Sequence, residues 1–189
     1  MRREKISSPI KKKNTWFGKI IQKIFPSKEY QAYVNAHERK LTDQLIKQKI
    51  QDLLLGGKEN LFKLVQYYFK SGKKDKAEFT DSICTELDLF RNAVKNSEYG
   101  FHPKNQSITE DLDKDYSHII KADASMIYFA DEISNKTRDF QLRAMSGNDI
   151  QPEVINILSY LNSLKDIFQK RKDYISGISQ ILEIKEPKK

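Results

Sequence analysis

The sequence contains few of the residues that most non-helical folds need. Its 189 residues include one cysteine, seven glycines and five prolines. The single cysteine, Cys84, excludes an intramolecular disulfide and favours a reducing compartment. So few glycines and prolines do not supply the turns of a protein built from many short strands. No apolar run approaches the roughly 18 residues that a transmembrane helix requires.

The basic residues, in contrast, are plentiful and unevenly distributed. The formal net charge is +8, and residues 1–28 hold nine basic side chains against one acidic side chain. The rest of the chain holds 25 side chains of each sign. A neutral body with a cationic segment favours an anionic partner for that segment.

Residues 1–26 are predicted to be a basic arm that ends in a short amphipathic helix over 15–25. Its apolar residues fall on one side of the helix, its lysines fall outside that face, and three consecutive lysines precede it. Tryptophan and phenylalanine suit the lipid interface, and lysines suit anionic headgroups. The predicted membrane-binding residues are Lys11, Lys12, Lys13, Trp16, Phe17, Lys19, Ile20, Ile21, Lys23, Ile24 and Phe25.

The arm also has other interpretations. An amphipathic helix most often packs on the protein's own core. A lysine-rich arm can bind nucleic-acid phosphates, but no basic helix face with base-reading residues accompanies it. The acid-poor N-terminus also fits an organellar transit peptide. A secretory signal is not expected, because Lys19 and Lys23 interrupt the only early apolar stretch.

Residues 27–189 are predicted to form a single all-α domain. The first part, 27–98, contains three helices: about 27–55, about 58–70, and one with a capping box of Asp75 and Glu78. The pair Gly56-Gly57 is predicted to break or kink the chain between the first two. Ser71-Gly72 is predicted to end the second.

Residues 107–185 are predicted to form a long antiparallel helical hairpin. Each arm carries a heptad seam, with spacing that alternates four and three. The turn near Gly147 pairs seam residues whose numbers add to 294, as Phe140 with Val154. Each seam has one charged member, Asp123 and Arg171, and their numbers give the same total. We therefore expect these two to form a structural polar pair that fixes the register.

No motif predicts catalysis, a metal site or a cofactor. Asp115 and His118 come nearest to the Glu-x-x-His repeat of di-iron bundles, but they occur once and with aspartate in place of glutamate. Cys84 lies beside an apolar stripe and is expected to be a buried small hydrophobe. The aromatic residues 67–69 are expected to be core and rim packing.

These features favour a non-enzymatic, peripheral membrane-binding scaffold or adaptor on the cytoplasmic face of a membrane. Expected partners are an anionic membrane surface and a protein, or a second copy, at the hairpin; no small-molecule substrate is expected and nucleic acid is disfavoured. The plan resembles, in architecture alone, membrane-remodelling proteins such as BAR domains and the phage-shock group. The alternatives are a soluble interaction module of effector or chaperone type with a docked arm and, third, a nucleic-acid-binding protein.

Overall fold

The structure, a computed structural model, describes residues 36–98 and 112–176. These residues form four helices: α1 (Ala36–Lys70), α2 (Lys74–Lys95), α3 (Leu112–Met145) and α4 (Gln151–Ser176). The described ranges contain no strand, so the predicted all-α bundle is confirmed. The predicted helix over 15–25 and the chain beyond 176 lie outside the described residues.

The helices pack as two antiparallel pairs, α1 with α2 and α3 with α4. Helix α1 also packs along α3, and α2 contacts α4 less extensively. Helices α1 and α3 run parallel. Asp43, near the start of α1, contacts Arg171, which in turn contacts Asp123 in the first half of α3. Asn60, later in α1, contacts Thr137, which is later in α3. The start of α1 and the end of α4 therefore lie at one end, here called the terminal end. The turns at 71–73 and 146–150 lie at the other, the turn end.

Both turns at the turn end are closed by a glycine with a left-handed backbone. Gly72 has φ +72° and Gly147 has φ +88°. The next residue in each case donates its N–H to a carbonyl five residues back, as Lys73 to Tyr68 (2.9 Å) and Asn148 to Arg143 (3.1 Å). This is the Schellman ending, which satisfies carbonyls that a helix end leaves unpaired. The predicted stops at both glycines are confirmed.

The predicted break at Gly56-Gly57 is wrong, because α1 continues through both glycines. They lie where α1 crosses α3. A methyl group at Gly57 would stand 3.1 Å from Ile133 Cγ2, and one at Gly56 would stand 3.3 Å from Ser134 Oγ. The missing side chains let two helix backbones approach closely. That packing outweighs the roughly 1 kcal/mol by which each glycine disfavours a helix.

The predicted capping box at the start of α2 is also wrong. The helix begins at Lys74, its N-cap residue is Lys73, and no side chain bonds to the cap. Asp75 instead lies in the first turn of the helix. A carboxylate there is favourable through the helix dipole, without a cap hydrogen bond.

The predicted seam of the α3–α4 hairpin is confirmed over the part that the structure describes. The predicted seam residues whose side chains are described are all buried: Ile119, Asp123, Met126, Ala130, Ile133, Thr137, Phe140 and Ala144 on α3, and Ile150, Val154, Ile157, Leu161, Leu164, Phe168, Arg171 and Ile175 just before and along α4. One cluster of apolar side chains joins residues of all four helices. Leu112 and Leu182, whose numbers also add to 294 and which the register therefore pairs, lie outside the residues whose side chains are described.

Within the described ranges, no helix combines the length and the apolar character that a membrane crossing demands.

Candidate functional site

A buried ion pair joins α3 and α4 near the terminal end. Arg171 Nε donates to Asp123 Oδ1 over 2.5 Å, and both side chains are almost fully buried. These are the two charged members of the heptad seams. The structure therefore brings together the pair that the shared register predicts, in the middle of apolar layers such as Met126 with Phe168.

Two residues of α1 extend this pair into a longer chain of charges. Asp43 Oδ1 lies 2.8 Å from Arg171 Nη1, although its geometry makes this an ion pair without a hydrogen bond. Its other oxygen lies 2.7 Å from Lys47 Nζ. Lys47 then donates to the backbone carbonyls of Ser97 (3.0 Å) and Glu98 (3.1 Å), just beyond α2. We call Asp123, Arg171, Asp43 and Lys47 the charge chain.

The charge chain connects α1, α3 and α4 with the residues just after α2, and it has no net charge. Burying two carboxylates and a guanidinium is costly unless each is paired, because desolvation of an ion costs several kcal/mol. A chain of alternating sign meets that requirement, whereas a shifted register would leave a charge unpaired. The arrangement therefore suits a structural role, in which it fixes how α1, α3 and α4 align.

Asp43 and Lys47 are not among the residues that the sequence pattern predicts for this pair. Asp43 stands in the buried stripe of α1 at helical spacing from Ile46 and Ile50, as Asp123 and Arg171 do in theirs. The nearby Leu41 and Leu45, also at helical spacing, indicate a buried side of the helix that is nearly opposite to the observed one. Leu41 is in fact 46% exposed, whereas Asp43 is 1% exposed. The sequence signal for Asp43 is a charged residue at a position that its spacing from Ile46 and Ile50 places on the same side of α1.

Two further polar groups of the core, the Cys84 thiol and the Tyr68 phenol, have raised pKa values. Cys84 is buried in the main core cluster, as predicted, and desolvation raises the pKa of its thiol to about 12. Burial also raises the pKa of Tyr68, with Asp149 adding to the effect. The His118 ring stacks on Tyr174 with centroids 5.3 Å apart. Neither thiol nor phenol is activated for nucleophilic chemistry by such shifts.

Among the residues that the structure describes, no three His, Cys, Asp or Glu side chains cluster as a metal site would require. The side chain of Asp115 lies outside those residues, so its predicted lack of a metal role stays a prediction.

The surface of the bundle carries an apolar stripe along α1. Leu55, Phe62 and Phe69 follow each other at seven-residue spacing and are 37%, 48% and 68% exposed. Residues seven apart lie on one side of a helix. We call these three residues the apolar stripe. The aromatic run predicted as core and rim packing is divided accordingly, with Tyr68 buried and Phe69 on the surface.

All eleven predicted membrane-binding residues, from Lys11 to Phe25, lie outside the described residues. The segment that contains them joins the bundle through α1, which starts at the terminal end. The charge chain lies near the same end.

No protein-family model, curated protein or solved structure matches this chain.

Proposed function

We propose that this protein is a non-enzymatic helical scaffold or adaptor that attaches to anionic membrane surfaces through residues 1–26. The observation that carries the proposal is that the excess positive charge lies in the N-terminal segment, before the helical bundle. Nine basic side chains lie within residues 1–28, and the remainder of the chain is electrically balanced. The function is thus assigned to the arm, and the bundle is the part that the arm attaches.

The physical basis of attachment is the coincidence of two favourable terms in one segment. Each basic residue near an anionic leaflet contributes about 1 kcal/mol. Burial of an apolar helix face in the headgroup region adds a term proportional to its area. Lysine charge alone gives salt-sensitive adsorption, and a weak apolar face alone gives little selectivity. Together they favour anionic over neutral membranes.

The bundle supports this proposal through the position of its ends. Helix α1 is preceded in the chain by the arm and starts at the terminal end, and the turn end is the opposite end of the bundle. Helix α1 has 35 residues and is therefore roughly 50 Å long at 1.5 Å per residue. A body of this length would present the sides of its helices to partners beyond the headgroups.

Vesicle sedimentation with the full-length chain tests the proposal. The wild type should bind anionic vesicles and not neutral ones. Replacing Lys11, Lys12 and Lys13 by Gln should weaken binding on the order of 100-fold, from about 1 kcal/mol for each lysine. The matched control replaces three exposed lysines near the turn end by Gln: Lys70, Lys73 and Lys74. The proposal is overturned if both triple variants bind as the wild type does.

A soluble interaction module is the second candidate, and the apolar stripe favours it. Exposed apolar residues in a row are typical of surfaces that bind other proteins. This reading predicts that wild-type protein stays in the supernatant with both vesicle types.

A further inference from the structure

The four helices do not pack equally on all sides of the bundle. Neighbouring helices pack extensively along three edges: α1 with α2, α3 with α4, and α1 with α3. The fourth edge, between α2 and α4, has much less contact. We call the α2–α4 edge the sparse edge. It lies opposite the α1–α3 edge, because α2 packs on α1 and α4 packs on α3.

Across the sparse edge, α2 and α4 meet through a ring contact and an ion pair. Phe90 of α2 packs edge-on against Phe168 of α4, with ring centroids 5.6 Å apart. Lys165 Nζ of α4 lies 2.7 Å from Glu86 Oε2 of α2, and both side chains are partly exposed. Ion pairs of this kind stabilise a fold little, because water screens the charges and two long side chains must be ordered.

The opposite edge, between α1 and α3, is packed closely. Gly57 lets the two backbones approach, since a methyl group there would stand 3.1 Å from Ile133 Cγ2. The side-chain amide of Asn60 donates to the carbonyl of Ser134 (3.4 Å) and to the hydroxyl of Thr137 (3.5 Å). An edge held by close packing and hydrogen bonds stays together when the sparse edge separates. The α1–α3 edge can therefore serve as a hinge.

Apolar side chains form the layer directly behind the sparse edge. The residues that α2 and α4 turn inwards here are no more than 7% exposed: Ile83, Leu87, Phe90, Leu161, Leu164 and Phe168. Separation of α2 from α4 would bring these side chains into contact with the surroundings. In water that exposure is unfavourable, whereas the acyl boundary of a membrane accepts apolar side chains.

We propose that the bundle opens along the sparse edge when it binds an anionic membrane, with the α1–α3 edge as the hinge. The inner faces of α2 and α4 then contact lipid instead of each other. The inference rests on the proposed membrane attachment, because the lipid supplies the apolar surroundings that make opening favourable. Each hairpin, α1 with α2 and α3 with α4, moves as a unit, since its own contacts are extensive.

Two ion pairs near the ends of the bundle determine where the edge separates first. At the turn end, Lys76 of α2 lies 2.7 Å from Asp149, just before α4, and this pair is partly exposed. At the terminal end, Asp43 of α1 lies 2.8 Å from Arg171 of α4, and both side chains are buried. Water readily replaces the partners of an exposed pair, whereas breaking a buried pair is costly. The edge should therefore open from the turn end towards the charge chain.

Distances between two spin labels test the opening in the full-length protein, with and without anionic vesicles. The edge pair is Glu86→Cys/Lys165→Cys. The hinge pair is Lys63→Cys/Arg138→Cys, at exposed positions of α1 and α3. Both pairs are made in a Cys84→Ala background, and circular dichroism checks that they stay helical. On vesicles the edge distance should increase by about 10 Å, the diameter of a helix, whereas the hinge distance should change little.

Sedimentation of the same vesicles separates this inference from the proposed function. Protein that sediments with the vesicles and keeps its short edge distance supports attachment and overturns the opening. Protein that stays in the supernatant overturns both. An increase in both distances also overturns the opening, because the bundle then loses its fold at the membrane instead of separating along one edge.

A charge reversal at the sparse edge tests the opening without labels. Lys165→Glu places two carboxylates together and should favour the open bundle, so its affinity for anionic vesicles should rise by up to about fivefold. The matched control is Lys70→Glu, at an exposed position of α1 away from the sparse edge. It makes the same change in net charge and should weaken binding through repulsion from the anionic lipid. If the two variants bind alike, the opening is overturned.

Discussion

At the scale of single residues, the charge chain shows how polarity can specify an apolar core. Arg171 contacts two carboxylates from different helices, and Asp43 contacts two cations. Arg171 is thus the shared partner of Asp123 and Asp43. The relative loss of folding stability on substitution of each residue follows from this sharing.

Replacing Arg171 should therefore destabilise the protein more than replacing Asp123. Arg171→Leu leaves two buried carboxylates without their guanidinium, at a cost of about 3–5 kcal/mol. Asp123→Leu leaves Arg171 with Asp43 and should cost less. The double variant Asp123→Leu/Arg171→Leu should recover part of the loss, because Asp43 retains Lys47. Urea unfolding gives the three free energies. Simple additivity of the two single effects would show that the pair is not coupled.

Cys84 should make the folded state sensitive to alkali. Burial raises the pKa of its thiol from 9.0 to about 12, so the folded protein holds the neutral thiol where the unfolded chain ionises. The contribution is constant below pH ~9 and is lost as the pH rises from there to about 12. The unfolding free energy of wild type minus that of Cys84→Ala should follow this course. A difference that stays flat up to pH 12 would contradict it.

At the scale of helices, the regular spacing of apolar residues was the sequence feature that predicted buried faces most accurately. The seams of α3 and α4 were predictable because an unbroken alternation of four and three places every member on one side. The buried side of α1 was harder to predict. Leu41 and Leu45 indicate one side of the helix, whereas the buried side carries Asp43, Ile46 and Ile50. The break predicted at Gly56-Gly57 was wrong for a related reason. The low helix propensity of glycine carries no information about the packing of a neighbouring helix.

Gly57, at the crossing of α1 and α3, and Gly72, in the turn after α1, should respond differently to substitution. Gly57→Leu should destabilise by about 1–3 kcal/mol, because a side chain there must displace Ile133 or push α3 away. Glu59→Leu, at an exposed position of the same helix, is the matched control and should change little. Thermal melts give the comparison. Equal melting temperatures for the two variants would mean that the crossing is loosely packed.

Gly72→Ala tests the turn without any steric contact. Nothing lies within 4 Å of a methyl group at that position, so only the left-handed backbone opposes it. The expected cost is about 1 kcal/mol, because an alanine rarely adopts such a φ. A variant as stable as the wild type in urea would show that the chain can reshape this turn freely.

At the scale of the whole molecule, one cationic segment and one neutral body predict a steep dependence on salt. Raising the ionic strength from about 0.1 M to about 1 M shortens the Debye length from ~10 Å to ~3 Å. Binding to anionic vesicles should therefore fall sharply over this range, while helical circular dichroism stays constant. Salt-independent binding would mean that the lysines of residues 1–28 do not carry the attraction.

The sequence could predict this asymmetry because charge is counted directly, and it could not predict the apolar stripe. Leu55, Phe62 and Phe69 look like core residues until the packing of α2 and α3 determines which side of α1 is covered. Their exposure follows from the positions of three helices together, which no local pattern contains.

The shared position of the ends also has a mechanical consequence. A force that pulls residue 36 away from residue 176 acts on α1 and α4 at the same end of the bundle, so it peels the helices apart in sequence instead of shearing them along their length. Asp43 and Arg171 join those two helices near that end. Under tension, the charge chain would be among the first contacts to bear the load, and its rupture would expose the apolar layers behind it.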